Sequence, residues 1–450
     1  MSEVEIKQER GWKRYPAYKD SGVEWLGEIP EHWEVRKVSH AFQKIGSGTT
    51  PSTNHYDYYE GNIPWVNTSE LREKVITDTS AKLTNKALLD HSVLNLYPPG
   101  TLLIAMYGAT IGRLGILGIT ACTNQACCAL ANPISINAKF AFYWLWMRRN
   151  ELILLSSGGG QPNINQEKIR SIRIPAPPLT EQQAIARFLD RETVKIDTLI
   201  AKKERLIELL KEKRTALISH AVTKGLNPDA PMKDSGIEWL GKIPSHWEVK
   251  RVKYLAEILR GKFTHRPRND PKLYNGVYPF IQTGDIAAAG KYLTSYQQTL
   301  NQLGYTVSKE FPRGTLVMAI AANIGDLAIL DFSACFPDSI VGFVPENENE
   351  LNYLYYNFAA MKSEMLGTAT LNTQMNLNIE RIGSLFSVCP TRKEQEKIAN
   401  YLDSKTSRID TLVTKTRISI DKLKEYRTAL ISAAVTGKID IRENLTPSPN

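Results

Sequence analysis

The feature that constrains this chain most is that it is written twice. Residues 20–38 read DSGVEWLGEIPEHWEVRKV and residues 234–252 read DSGIEWLGKIPSHWEVKRV, fourteen of nineteen positions being identical at an offset of 214. Further on, residues 181–223 align without a gap to residues 394–436 at an offset of 213, with 25 of 43 positions identical. Both stretches close with RTALIS. Between these blocks the halves diverge but keep a skeleton. Ile63-Pro64-Trp65-Val66 answers Tyr278-Pro279-Phe280-Ile281, Gly100-Thr101-Leu102 answers Gly314-Thr315-Leu316, and Ile111-Gly112 answers Ile324-Gly325. Gln161-x-Asn163-x-Asn165 answers Gln374-x-Asn376-x-Asn378. A duplicated unit with one part held fixed and another drifted predicts two homologous domains with different surfaces on a common scaffold.

The fixed segments read as helices. In the first, Ile185, Leu189, Ile196, Leu199, Leu206, Leu210 and Leu217 fall on an a/d register, interrupted by Glu192, Lys203 and Lys213. In the second, Ile398, Leu402, Ile409, Leu412, Leu423 and Leu430 do the same, interrupted by Lys405, Thr416, Ser419 and Tyr426. Thr180 and Glu181 after Pro177-Pro178 form a start, and Gly225 and Gly437 form stops. Each helix then runs for about 40 residues, roughly 60 Å. Alone it exposes an apolar seam, so it packs either on its own domain or on its duplicate. A register that persists over several heptads favours the duplicate. Because each helix follows its own domain, antiparallel pairing sets the two domains at opposite ends, related by a pseudo-two-fold. Polar seam residues such as Lys203 and Thr416 cost stability and fix register.

The variable parts read as mixed α and β. Apolar runs at residues 100–106 and 315–321 look like buried strands, and residues 138–155 and 352–365 like short helices. The segments expected are 1–37, an N-terminal block; 38–179, the first variable domain; 180–225, the first helix; 226–251, the repeated block; 252–391, the second variable domain; 392–438, the second helix; and 439–450, a tail.

Composition removes other classes. No apolar run approaches the length of a bilayer span, and residues 1–14 are too polar for a signal peptide, which makes a cytoplasmic protein the default expectation. Cys122, Cys127, Cys128, Cys335 and Cys389 are scattered, and the seven histidines hold no His-x-x-x-His pair, so buried thiols are expected rather than a metal site. A formal net charge of +9 favours a polyanionic partner, although that charge is dispersed. There is no phosphate-binding loop, no dinucleotide fingerprint around residues 108–118, and no adenine-methylase motif at residues 95–100 or 176–179. A nuclease-like match, Pro228-Asp229 before Glu248-Val249-Lys250, falls in the repeat; the first copy, Glu34-Val35-Arg36, has no Pro-Asp before it, so the match reads as accidental. No catalytic residues are assigned.

The twice-occurring W-L-G-x-I-P-x-H-W-E-V block resembles the opening of type I restriction-modification specificity subunits. So do the run from Gln161 through Ile174-Pro175-Ala176-Pro177-Pro178-Leu179 to Glu181-Gln182, and the Leu-Asp-x(6)-Asp-Thr-Leu pattern beginning at Leu189 and Leu402. The resemblance covers nearly everything after Asp20. In the second half Ser387-Val388-Cys389-Pro390 replaces the proline-rich run and Lys393 intrudes, which weakens the pattern at that junction.

The resemblance implies an α+β protein: two homologous α/β target-recognition domains separated by two long conserved helices that pair as an antiparallel coiled coil. Each domain is expected to read one half of a bipartite double-stranded DNA target, with the helices setting the spacer. Two modification subunits are implied as partners, binding S-adenosylmethionine and methylating adenine. Restriction subunits using ATP and Mg are implied as further partners. No cofactor is expected in this chain.

Base edges in the major groove call for Arg or Lys at guanine and Asn or Gln at adenine. The matching loop residues are Ser47, Thr49, Asn54 and His55, then Gln161 and Asn163. In the second half they are Arg260, Lys262, Thr264, His265, Arg266 and Arg268, then Gln374 and Asn376. The Arg260-to-Arg268 cluster suits phosphate positioning. The shared Gln-x-Asn-x-Asn motif suits backbone positioning or a turn. Tyr107 and Arg113 have no equally placed counterparts and are either specificity-bearing or simply solvated. Trp25, Trp33, Trp239 and Trp247 read as core or docking residues. The rival readings are a self-contained methylase or nuclease, opposed by the missing motifs, and a structural adaptor, which leaves two divergent heads unexplained.

Overall fold

The computed structural model describes residues 12–156, 163–346, 349–368 and 377–442. In the first half, β1 (Phe42–Ser47), β2 (Lys74–Ile76), β3 (Leu102–Ala105), β4 (Leu114–Leu117) and β5 (Cys127–Pro133) form one five-stranded sheet in the order β1-β5-β3-β4-β2. α1 (Ala138–Met147) follows, and α2 (Leu179–Lys224) is the first long helix. In the second half, β6 (Ala256–Arg260), β7 (Tyr292–Leu293), β8 (Leu316–Ala319), β9 (Leu327–Leu330) and β10 (Ile340–Pro345) repeat the sheet as β6-β10-β8-β9-β7. α3 (Leu351–Ala360) answers α1, and α4 (Arg392–Val435) answers α2.

The pairing types match strand for strand. The three inner contacts are antiparallel, and the outermost, β2 on β4 or β7 on β9, is parallel. The central strands β3 and β4, like β8 and β9, are buried at every position, so they read as continuous apolar runs rather than alternating ones. α1 starts at Asn137, whose side chain accepts from the backbone N–H groups of Lys139 and Phe140, and buries Phe140, Tyr143 and Trp144 on the first core. Each repeated block closes its head as well. Glu34–Lys37 pairs antiparallel with Arg173–Ala176, and Glu248–Arg251 pairs with Phe386–Cys389.

The chain divides into two compact units, Met1–Glu204 with Arg417–Asn450, and Arg205–Thr416. This division cuts through both long helices, so it does not follow the segments read along the sequence. Each unit holds one head, part of its own helix and part of the other. Within the first unit, the Arg427 guanidinium lies 3.1 Å from Asp197, while Glu181 meets Tyr15, whose ring lies 4.8 Å from the Arg442 guanidinium. The α2 segment therefore runs forward as the α4 segment and the residues after it run back: the pair is antiparallel. In the second unit the same pattern recurs, with Arg214 on Asp410 at 3.1 Å and Trp247 reaching both Glu394 and the backbone at Gly225. Residues 439–442 belong to the first core, where Ile439 and Ile441 are each 1% exposed.

The seam lies partly one residue away from the expected register. Ile185, Leu189, Ile196, Ile398, Leu402, Ile409 and Leu430 are buried, and Leu210, Leu217 and Leu423 are half-buried. Leu199, Leu206 and Leu412, at 42%, 45% and 51% exposed, are not on it. Their neighbours Ile200, Ile207 and Val413 take those places, and Thr193 and Thr406, each bonded through its hydroxyl to the carbonyl four residues back, begin the shifted register. Two adjacent apolar residues, Leu199-Ile200 or Leu206-Ile207, satisfy the heptad count equally well. The packing partner selects between them. Lys405 is exposed, whereas Thr416 is buried at 9%.

Candidate nucleic-acid interface

Three fastenings hold each head on its helix, and each occurs twice. Glu181 in the first turn of α2 accepts from the Trp33 indole N–H at 3.1 Å and from the Tyr15 hydroxyl at 2.5 Å, with His32 Nε2 2.8 Å away. Its counterpart Glu394 accepts from Trp247 at 3.2 Å and from the Thr391 hydroxyl at 2.8 Å, with His246 Nε2 2.8 Å away. Gln182 accepts from the backbone N–H of Asn137 at 2.7 Å, as Gln395 does from Glu350 at 2.8 Å. Tyr143 donates to Asp190 and Tyr356 to Asp403. Burial pushes the Tyr143 and Tyr356 hydroxyls well above the ordinary tyrosine range, so both remain protonated donors. Trp33 and Trp247 are 0% and 1% exposed, so they serve the core and this latch; Trp25 remains 47% exposed with the Arg148 guanidinium 3.1 Å from its ring centre. The sequence reading missed these latches, although His-Trp and a first-turn Glu recur in both copies.

With the heads fixed, the first loop after each sheet-edge strand carries the candidate contacts. Both loops begin with a glycine for the same reason. A Cβ on Gly48 would lie 1.7 Å from the Thr123 carbonyl oxygen, and one on Gly261 2.2 Å from that of Pro337. After this shared pinch the heads differ. In the first, Ser47 accepts from Gln166 Nε2 at 2.9 Å, Thr50 bonds Gln125 at 2.6 Å, and the Trp65 indole donates to the Thr49 carbonyl at 3.2 Å. Asn54 and His55 are exposed beyond them.

In the second head, Lys262, Thr264, Arg266 and Arg268 are exposed on a loop organised by Asp338. Arg268 pairs with the Asp338 carboxylate, Arg266 lies 3.8 Å from it, and the Arg260 guanidinium donates to the Asp338 carbonyl at 3.0 Å. His265 sits 3.3 Å from Asp270, and hydrogen bonding to the Lys272 backbone holds the Asp270 carboxyl below its usual range. The basic cluster is thus internally braced: Arg260 is committed to structure, and Arg266 also donates to the Phe263 and His265 carbonyls at 2.8 Å, while Lys262 is exposed to solvent.

A second candidate surface lies at the β3–β4 hairpin. Tyr107, 44% exposed, forms a backbone bridge with Asn163, which brings Asn163 and Ile164 against the hairpin. Asn165 and Asn378 cap the short helices Gln166–Ser171 and Ile379–Ser384. Gln161, Gln374 and Asn376 lie outside the described residues. Arg113, half-buried, proves to have an equally placed counterpart after all: the matching hairpin of the second head sets Asp326 there, paired with Lys362 at 2.6 Å. Charge at this position is reversed between the heads. The five thiols are free, and burial raises Cys122 and Cys128 to about 12, which keeps both protonated at neutral pH. Among the described residues no group of three or more His, Cys, Asp or Glu is placed to hold a metal, and no helix is long and apolar enough to cross a membrane.

Two similar heads with dissimilar loops, each latched to antiparallel helix ends, define a protein class built to present two different recognition surfaces. The family model for the type I restriction modification DNA specificity domain matches residues 30–209 and again residues 244–422. The chain belongs to the family of type I restriction-modification specificity subunits; its role is DNA target recognition, and it is not a catalytic subunit. It is 26% identical over 437 residues to the type I restriction enzyme MjaVIII specificity subunit of Methanocaldococcus jannaschii, covering 92% of this chain and 94% of that one. It is 20% identical to the EcoKI specificity subunit of Escherichia coli, over 92% and 90% of the two chains.

Solved structures show the same fold. A chain from a study of complex assembly and conformational transition of the type I R-M system matches with a TM-score of 0.71 at 15% identity, covering 90% of this chain and 98% of that one. The HsdS subunit from Thermoanaerobacter tengcongensis matches at 0.54 and 16%, covering 91% and 98%.

Proposed function

We propose that each head reads one half of a bipartite double-stranded DNA target, and that the paired helices set the length of unread spacer while docking two modification subunits. In this reading the modification subunits bind S-adenosylmethionine and methylate adenine within each half-site. Restriction subunits driven by ATP with Mg add cleavage, and the assembly works in the cytoplasm. This chain carries no cofactor. The observation that carries the reading is that the two heads share strand order and all three latches, yet diverge at the loops that begin at Gly48 and Gly261 and reverse charge at Arg113 and Asp326. A scaffold fixed in two copies while the loops differ is what two independent half-site readers require.

Within those loops, Lys262, Thr264, Arg266 and Arg268 contact phosphates of the second half-site. Thr49, Asn54, His55, Tyr107, Arg113 and Asn163 face the first. Phosphate contacts make binding salt-dependent, and removing one lowers the slope of log affinity against log salt by about 1.

The test is a methylome of cells expressing the chain with its modification subunit, beside a variant in which residues 38–175 come from another specificity subunit. Methylated adenine is expected at a bipartite, asymmetric motif, with the exchange altering one half only. No such motif, or a change in both halves, would overturn the reading.

A further inference from the structure

The repeat lets each position in one unit be compared with its counterpart in the other, and one difference opens a cavity. In the second unit a groove of about 1080 Å³ runs between α3 and that unit's helix segments, floored by Tyr355, Tyr356, Ala359 and Ala360. In the first unit the corresponding residues of α1 are Phe142, Tyr143, Trp146 and Met147. Trp146 and Met147 pack against the first core, and the Arg427 guanidinium stands 4.6 Å from the Trp146 ring. Arg214 is the counterpart of Arg427, and it pairs with Asp410 as Arg427 pairs with Asp197. Beside Arg214, however, position 359 offers only a methyl group. The frame of guanidinium, aspartate and latched tyrosine is kept in both units. The first unit fills it with its own indole and thioether, and the second leaves it open.

We propose that this groove is a socket for an aromatic side chain of a modification subunit, which takes the place that Trp146 holds in the first unit. The inference rests on the docking role given above. The chemistry of the lining selects the occupant. Three of its four cations are paired with carboxylates: Lys291 with Asp403 at 2.5 Å, Lys362 with Asp326 at 2.6 Å, and Arg214 with Asp410 at 3.1 Å. A phosphate-rich ligand would meet as many carboxylates as paired cations, so the groove does not suit a nucleotide or a DNA backbone. A side chain with an apolar face and one polar edge fits tyrosine rings, alanine methyls and a guanidinium together, and such buried aromatic anchors dominate protein interfaces. One consequence is that the two units dock their modification subunits unequally, because one supplies its own plug.

The experiment uses the full chain purified with its modification subunit. The double variant Ala359→Trp with Ala360→Met fills the socket with the residues the first unit uses, and native mass spectrometry and titration read stoichiometry and affinity. Wild type is expected to bind two modification subunits. The filled variant is expected to lose affinity at one site by tenfold or more, about the effect of removing a strong interface anchor. Hydroxyl-radical footprinting of the wild-type complex reads the same socket without a mutation: Tyr292, 48% exposed on the groove's rim, is expected to become protected. Two undiminished sites in a filled variant that melts no lower than wild type, or an unprotected Tyr292 in a complex holding both subunits, would overturn the socket. A variant that melts lower passes the decision to the footprint. A wild-type chain that binds no modification subunit would overturn the docking role itself, and the socket with it.

Discussion

The two units are the same design with different margins. Their sheets share one strand order, and their heads hang from the helices by the same Glu, Gln and Tyr contacts. The anchor of the first unit is the deeper one: the Glu181 side chain is 6% exposed and that of Glu394 is 33%. The added group is Tyr15, which donates to Glu181, and whose place in the second copy falls at Asp229, in the connection after α2. The first unit also fills the space beside its helix-borne arginine with Trp146. A duplicated scaffold thus keeps the contacts that set geometry, while the packing around them drifts.

The largest effect that bears on this comparison is removal of the latch tryptophans. Trp33→Ala and Trp247→Ala each delete a fully buried indole and take one hydrogen-bond donor away from the latch glutamate, so each should cost about 3–5 kcal/mol in urea denaturation. The Trp33 variant should be the worse of the two, because Glu181 is more completely buried. A cost below about 1 kcal/mol for either would break the idea that these residues anchor the heads.

The glycine pinch comes next. Gly48→Ala and Gly261→Ala place a methyl against a backbone carbonyl, which overpacks the site by about 1–3 kcal/mol. Each should weaken binding to its own half-site alone, as read by titrating DNA duplexes altered in one half. Equal losses for both halves would mean that the loops do not act independently.

The smallest effect is on acid stability. Burial raises the Glu394 carboxyl, but hydrogen bonds from His246, Thr391 and Trp247 outweigh it and hold it below the ordinary glutamate value of 4.5. A depressed carboxylate contributes stability that is present above that value and is lost as pH falls through the lower folded one. Because Glu394 is a third exposed, the contribution is on the order of 1 kcal/mol or less. Glu394→Gln should therefore flatten the loss of stability of the second unit below about pH 4.5, measured by thermal melting across pH. An unchanged acid limb would remove the charged form of Glu394 from the latch.

Much of the architecture was legible because duplication writes it into the chain. The two heads and the two long helices follow from paired blocks, and the loops at residues 47–55 and 260–268 from their polar and basic side chains. Strands β3 and β8 follow from apolar runs after Gly100-Thr101 and Gly314-Thr315. What was not legible depended on contacts between residues far apart in sequence. The seam was placed on Leu199, Leu206 and Leu412 because leucines fit a heptad count. The structure buries Ile207 and half-buries Ile200 and Val413 instead, since a helix face is chosen by what packs on it. Likewise the Arg260-to-Arg268 cluster looked like a free cationic surface until Asp338, some seventy residues away, was found bracing it.

By itself the sequence determined that this chain has two homologous heads on two long helices, and to which family it belongs. Periodicity and repetition are local records that survive without coordinates. Packing in three dimensions settled which half of each helix serves which head, which acids hold the loops, and that one unit is plugged by Trp146 where its twin is open at Ala359. Those outcomes depend on the sizes of side chains that meet across a hundred residues or more, and no pattern along the chain carries that sum.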